Sequence, residues 1–150
     1  MDELKQSIIE NEGFSAKVYK DTLNNDTVGF GFLCSALAPD ELALNGNKIE
    51  PMERESAERI LDLKLKKLKA EVFKTFAWLK NQPEPVKDCV IEMCYQMGIN
   101  SVKKFYTTMG FIKTYQYEKA YEYGLKSLWA KQTPKRAKRV LAKLLSAEQE

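Results

Sequence analysis

Within ENEGFSAKVYKDTLNNDTVGFGF, residues 10–32, the acids Glu10, Glu12 and Asp21, the hydroxyl of Thr27 and the spaced glycines Gly29 and Gly31 crowd into a short polar pattern. Groups of these types handle protons. Two carboxylates flanking a scissile bond suffice for glycoside hydrolysis: a protonated one gives its proton to the leaving oxygen, while an ionised one steadies developing positive charge or directs a water. Glu12 and Asp21 are the candidate pair. Glu12 has apolar Ile8, Ile9 and Phe14 beside it, where partial burial disfavours its charged form; Asp21 falls in a polar turn and is expected to stay ionised. Acids at helix ends and in hairpin turns are also ordinary solvated surface groups, and the pair alone does not separate the two readings. Glu10 and Asp26 are read as solvated surface.

The rest of the composition narrows the chemistry. The chain has no histidine, which excludes His-dependent triads and dyads. It also has no CxxC pair, so zinc would find few ligands, and neither a metal nor a cofactor is expected. Cys34, Cys89 and Cys94 are odd in number and two share one helical stretch, which reads as buried thiols rather than a disulfide framework. With 150 residues, 44% hydrophobic and 30% charged, the chain has the makings of one soluble globular domain. Lys and Arg outnumber Asp and Glu by 24 to 21 and gather in KLKKLK and KRAKR. Such clusters suit nucleic acid or an anionic envelope, but a solvated helix face is the commonest origin. The start MDELKQSIIENE lacks the apolar core of a signal peptide, and nowhere do about 18 apolar residues run together. A cytoplasmic protein without stable membrane insertion is expected.

The elements that must position the acids can be read from periodicity. Residues 3–11 form a short helix capped by Asp2, with Leu4, Ile8 and Ile9 on one side, stopped by Gly13. From Lys17 to Cys34 the pattern changes to strands joined by turns, a small antiparallel sheet. Gly29 and Gly31 in one strand suit either a ligand that approaches the backbone closely or simple strand twisting. After an irregular stretch with a short helix at APDELAL and a turn at NGN, an apolar stripe of Leu61, Leu65, Leu68, Val72, Phe76 and Leu79 marks a helix over about 52–80. At about 1.5 Å per residue it would span roughly 40 Å, long enough to join two lobes. Beyond NQPEP everything reads as helix: Val86, Val90, Met93 and Met97 share a face, Ser101 is a candidate cap, and Thr133 and Pro134 open the last helix. The fold class is α+β, mainly α: a small antiparallel β-sheet lobe (13–51) and an all-helical lobe (81–150 with 1–12), joined by the helix over 52–80.

EGFSAKVYKDTLNNDTVGFG (12–31) separates a Glu, an Asp and a Thr by eight and then five residues, and resembles the catalytic segment of the phage-type, T4-lysozyme-like family of glycoside hydrolases. CYQMGINSVKKF (94–105) and SLWAKQTPKRAKRVL (127–141) extend the resemblance over nearly the whole chain. It implies a single lysozyme domain, 1–150, with peptidoglycan bound between the lobes. It further implies Glu12 as general acid, Asp21 as second carboxylate, Thr27 holding the attacking water and Arg136 pairing with Glu12. Sugar contacts fall on Leu33, Tyr95, Gln96 and Thr108, although core packing also accounts for Leu33 and Tyr95; Trp129 and Met97 read as core. Because the family is generally inverting, carboxyls about 6.5–9.5 Å apart are expected.

Departures from the family pattern concern the surroundings. Phe32 stands where a histidine often pairs with an acid on the long helix, and Lys64 occupies the facing place; the ion pair is expected to be missing and a hydrophobic contact to replace it. Asn11 and Glu92 exchange side-chain types and are expected to pair, Tyr123 replaces a smaller polar group, and segment 34–52 is short. The implied function is an endolysin muramidase cleaving the β-1,4 bond between N-acetylmuramic acid and N-acetylglucosamine. The enzyme is expected to be a monomer, to bind no nucleic acid and to need a holin to reach the wall. A basic helical nucleic-acid-binding protein and a non-catalytic wall-binding relative are the alternatives.

Overall fold

A computed structural model describes residues 2–148. Two compact units divide the chain, Met1–Lys67 and Leu68–Glu150. The fold is mainly α, with one small three-stranded antiparallel sheet.

In the first unit, α1 (Glu3–Glu12) starts where the Asp2 carboxylate accepts the Lys5 N–H at 2.7 Å. It buries Leu4, Ile8 and Ile9 and stops at Gly13 (φ 70°), whose N–H closes the last turn on the Ile9 carbonyl at 2.9 Å. β1 (Ser15–Lys20), β2 (Asp26–Gly29) and β3 (Phe32–Leu33) follow in sheet order, with Tyr19 opposite Thr27 and Thr27 opposite Leu33. One face of this sheet is the core: Val28, Phe30 and Phe32 are buried with Met52, Ile60 and Leu61. The Arg54 guanidinium lies over the rings of Phe14 and Phe30, 5.5 and 5.3 Å from their centroids.

The short segment after the sheet is held by polar side chains. Glu41, in α2 (Pro39–Leu42), is buried, accepts the Ala38 N–H at 3.0 Å and takes Lys64 and Lys67 of α3 (Arg54–Thr75) at 3.0 and 3.1 Å. Burial works against its charge, but these donors outweigh it and its pKa is lowered. Asn45 bonds the carbonyls of Lys48 and Pro51 and the N–H of Glu53, closing the NGN turn, where Gly46 and Asn47 are left-handed. The hydrophobic contact expected of Phe32 is instead a cation–π contact. Lys64 Nζ lies 5.4 Å from the Phe32 ring centroid while it pairs with Glu41, because the stem packs on the ring and the ammonium still reaches a carboxylate.

α3 ends at Thr75, short of the expected 80. Phe76 leaves the helical region (φ −116°, ψ 70°) and Ala77–Asn81 form a 3-10 turn that buries Leu79, so the apolar stripe continues through a break in the helix.

Among the described residues, the second unit continues from the end of α3 and the 3-10 turn into α4 (Glu84–Met97), α5 (Ile99–Val102), α6 (Tyr106–Lys113), α7 (Tyr117–Gly124), α8 (Leu128–Gln132) and α9 (Pro134–Glu148). Ser101 caps nothing; it lies inside α5, and α6 starts after Phe105. Val86, Val90 and Met93 of α4 are buried, as are Val140, Leu141 and Leu144 of α9, and these two helices pack together. Gly124 lets α7 approach α9, since a Cβ there would stand 2.9 Å from Leu141. Tyr117 donates its hydroxyl to Gln82, whose amide bonds the Ile112 carbonyl at 3.2 Å. Cys89 and Cys94 are free buried thiols, each pushed up to about 12 by burial.

Glu92 is fully buried and meets Lys143 at 2.5 Å. Lys143→Met should cost about 2–3 kcal/mol in urea unfolding, below the usual buried-pair figure because Lys143 keeps 20% of its exposure. Adding Glu92→Gln should restore most of the loss.

Candidate active site

Glu12 is the last residue of α1, half-buried, and its carboxyl lies against the backbone of Gly31. A Cβ at Gly31 would stand 2.5 Å from Glu12 Oε2 and 2.7 Å from its Cδ. Gly31 also has φ +75°, so two independent constraints require glycine there. Gly29 (φ +67°) leaves room for the Phe32 ring instead, 2.7 Å from a built Cβ. Gly31→Ala should therefore lower stability by about 1–2 kcal/mol. It should also displace Glu12 and cut turnover about 10- to 100-fold, read as melting temperature and initial rate side by side.

Asp21 occupies the turn between β1 and β2. Its Oδ1 accepts the backbone N–H groups of Leu23 and Asn25 at 2.9 and 2.8 Å, and its Oδ2 meets the Asn25 amide at 3.3 Å. The Asn25 N–H is the main reason that its pKa lies below the ordinary carboxylate value, helped by the Asn25 amide, the Leu23 N–H and the Lys20 charge against a partial desolvation. Asp21 is thus ionised over the whole neutral range. Thr27 is buried in β2 and donates its hydroxyl to the Asn25 carbonyl at 3.0 Å. Asn25 therefore holds both Asp21 and Thr27.

Tyr19 connects the two acids. The pKa of its phenol is raised by burial, then by the charge of Glu12, then by that of Asp21. Both carboxyls consequently lie within electrostatic reach of one side chain, which itself stands opposite Thr27 in the sheet. Asp21 and Thr27 share Asn25 as a partner, and Glu12 lies against Gly31 in the turn between β2 and β3. Leu33, opposite Thr27 on β3, is 41% exposed and offers an apolar surface. Sequence reasoning assigned no role to Tyr19 or Asn25; the available signal was Asp21 opening the polar run DTLNND, where an Asp side chain bonds the backbone two residues on.

The remaining expected residues lie in the second unit. Tyr95 and Gln96 occupy the last turn of α4, half-buried, and Gln96 Oε1 accepts the indole N–H of Trp129 at 2.9 Å. Thr108 of α6 is buried. Arg136, half-buried, lies in the first turn of α9. Trp129 is buried, and Tyr123 is exposed with its ring edge-on to Phe111 at 6.2 Å. Among the described residues no group of three or more Cys, Asp or Glu could hold a metal ion, and no helix is long and apolar enough to cross a membrane.

A mainly helical chain in which one acid ends a helix against a small sheet's turn and a second occupies the hairpin turn beside it has the outline of a lysozyme. The sequence profile described as "Phage lysozyme" matches residues 9–147: the chain belongs to the phage lysozyme family and is a muramidase-type glycosidase. It is 28% identical to "Probable T4-type lysozyme 1" of Dictyostelium discoideum, over 93% of this chain and 91% of that protein. "Probable T4-type lysozyme 2" of the same organism is 27% identical with the same coverage. A further similarity, 27% identity over 98% of this chain, is to the "Pre-baseplate central spike protein Gp5" of Enterobacteria phage T4, of which it occupies 28%.

Proposed function

We propose that this glycoside hydrolase is an N-acetylmuramidase that hydrolyses the β-1,4 bond between N-acetylmuramic acid and N-acetylglucosamine in peptidoglycan, by single displacement. Glu12 gives its proton to the bridging oxygen as the bond to the muramic acid C1 breaks. A water held by Asp21 and Thr27 attacks C1 from the opposite face and loses a proton to Asp21. The products are a muramic acid of inverted anomeric configuration and a free 4-hydroxyl on the glucosamine. Asp21, a weak base by its lowered pKa, acts chiefly by orienting that water and opposing the positive charge at C1.

The observation that carries this reading is that the Glu12 carboxyl rests on the bare backbone of Gly31 while Asp21, held by backbone N–H donors, and Thr27 share Asn25 in the adjoining hairpin. In the same reading Arg136 orients Glu12, and Leu33, Tyr95, Gln96 and Thr108 contact the glycan. The enzyme works as a monomeric endolysin that a holin admits to the wall. Digestion of purified peptidoglycan followed by borohydride reduction tests the bond assignment. Reduced muramic acid is expected at the new ends; reduced glucosamine would sink it.

A further inference from the structure

One cation of the first unit is committed to two rings. The segment that leads into α3 runs antiparallel along the outer edge of β1: the Val18 N–H donates to the Glu50 carboxylate at 2.7 Å and the Met52 N–H to the Ala16 carbonyl at 2.8 Å. Two residues further in each direction, the same pairing sets Arg54 against Phe14. Its guanidinium lies 5.5 Å from the centroid of that ring and 5.3 Å from that of Phe30. The two rings meet each other at 5.4 Å with their planes tilted by 55°. Arg59, on the same helix, pairs with Glu55, whereas Arg54 forms no ion pair among the described residues.

Both rings belong to segments that fix Glu12. Phe14 is the second residue after it, where α1 has stopped at Gly13 and β1 has yet to begin. Phe30 is fully buried and precedes Gly31, whose backbone the Glu12 carboxyl touches. Gly29 and Gly31, on either side of Phe30, both have positive φ, so the turn takes its position from what Phe30 packs against. Arg54 is exposed; a planar, weakly hydrated guanidinium suits ring faces at such a place, where a Lys ammonium would keep more of its water.

We infer that Arg54 is a positioning residue for Glu12: by covering Phe14 and Phe30 together it ties the end of α1 to the Gly31 turn and holds the carboxyl where it protonates the leaving oxygen. The proposal rests on Glu12 being the general acid. Arg54 acts through that carboxyl and not on the glycan.

Arg54→Met keeps an apolar stem over the rings and removes the cation; Arg54→Lys keeps a cation without the plane. On peptidoglycan, at a temperature where all variants are folded, kcat should fall about five- to tenfold in Arg54→Met and about two- to threefold in Arg54→Lys, with KM unchanged. In the Glu12→Gln background Arg54→Met should lower the residual rate no further. An unchanged kcat, a loss carried by KM, or an equal fall with and without Glu12 would overturn the proposal. Phe14→Leu, which removes one ring, should reproduce the Arg54→Met loss without adding to it; full addition would also overturn it. The backbone amide shift of Gly31 reads the turn without turnover. It should be displaced in Arg54→Met and lie nearer the wild-type position in Arg54→Lys, and an unmoved Gly31 amide would overturn the proposal. A Glu12→Gln variant as active as wild type would instead count against Glu12 as the acid, and the Gly31 shift would still decide whether Arg54 holds that turn.

Discussion

Glu12→Gln should lower the rate of peptidoglycan hydrolysis by about two to four orders of magnitude, the range that a positioned general acid supplies. Gln has the same length and shape, and the carboxyl it replaces rests on the bare backbone of Gly31, so the variant should fit without moving α1. Its melting temperature should stay within a few degrees of wild type. Because Glu12 is among the charges that raise the Tyr19 pKa, the phenol of the variant should also titrate at lower pH than that of the wild type. Ultraviolet titration reads this directly. A variant that clears cell walls at the wild-type rate would remove Glu12 from the chemistry.

Asp21→Asn separates charge from turn. The Asn carbonyl can still accept the Leu23 and Asn25 N–H groups that now end on Oδ1, so the turn should persist while the negative charge is lost. Turnover should fall about 100-fold or more with little change in unfolding midpoint. The pH profile carries the sign. Asp21 has a lowered pKa, so in the wild type its charge survives as pH falls through the ordinary carboxylate range and is lost only below it. Asn25→Ala removes the amide contact at 3.3 Å but keeps the backbone N–H, and should move the acid limb of kcat/KM towards higher pH. A limb unmoved by that change would mean that Asp21 does not set it.

Local chemistry made much of this molecule legible. Asp2 and Gly13 announce both ends of α1 because capping and left-handed stops are decided by single residues. The stripe from Leu61 to Leu79 announces α3 but hides its end, since the 3-10 turn after Phe76 keeps Leu79 facing the core. The spaced glycines admitted a ligand or a twist; the structure adds the carboxyl of Glu12 at Gly31 and the ring of Phe32 at Gly29. Contacts distant in sequence were not legible. The Lys143 partner of Glu92 and the Tyr117–Gln82–Ile112 chain join different helices and leave no periodic trace. In the candidate site, residue types pointed to Glu12 and Asp21 and the family resemblance added Thr27, whereas Asn25 as the common support of Asp21 and Thr27 emerges only from hydrogen bonds.

The claim that a water held by Asp21 and Thr27 attacks directly while Glu12 protonates the leaving oxygen has a stereochemical consequence. Proton NMR of a soluble peptidoglycan fragment, recorded in the first moments of digestion at high enzyme concentration, reads the anomer formed before mutarotation. The α-anomer of the new muramic acid end is predicted; the β-anomer, the mark of a covalent glycosyl-enzyme and a second displacement, would contradict the account.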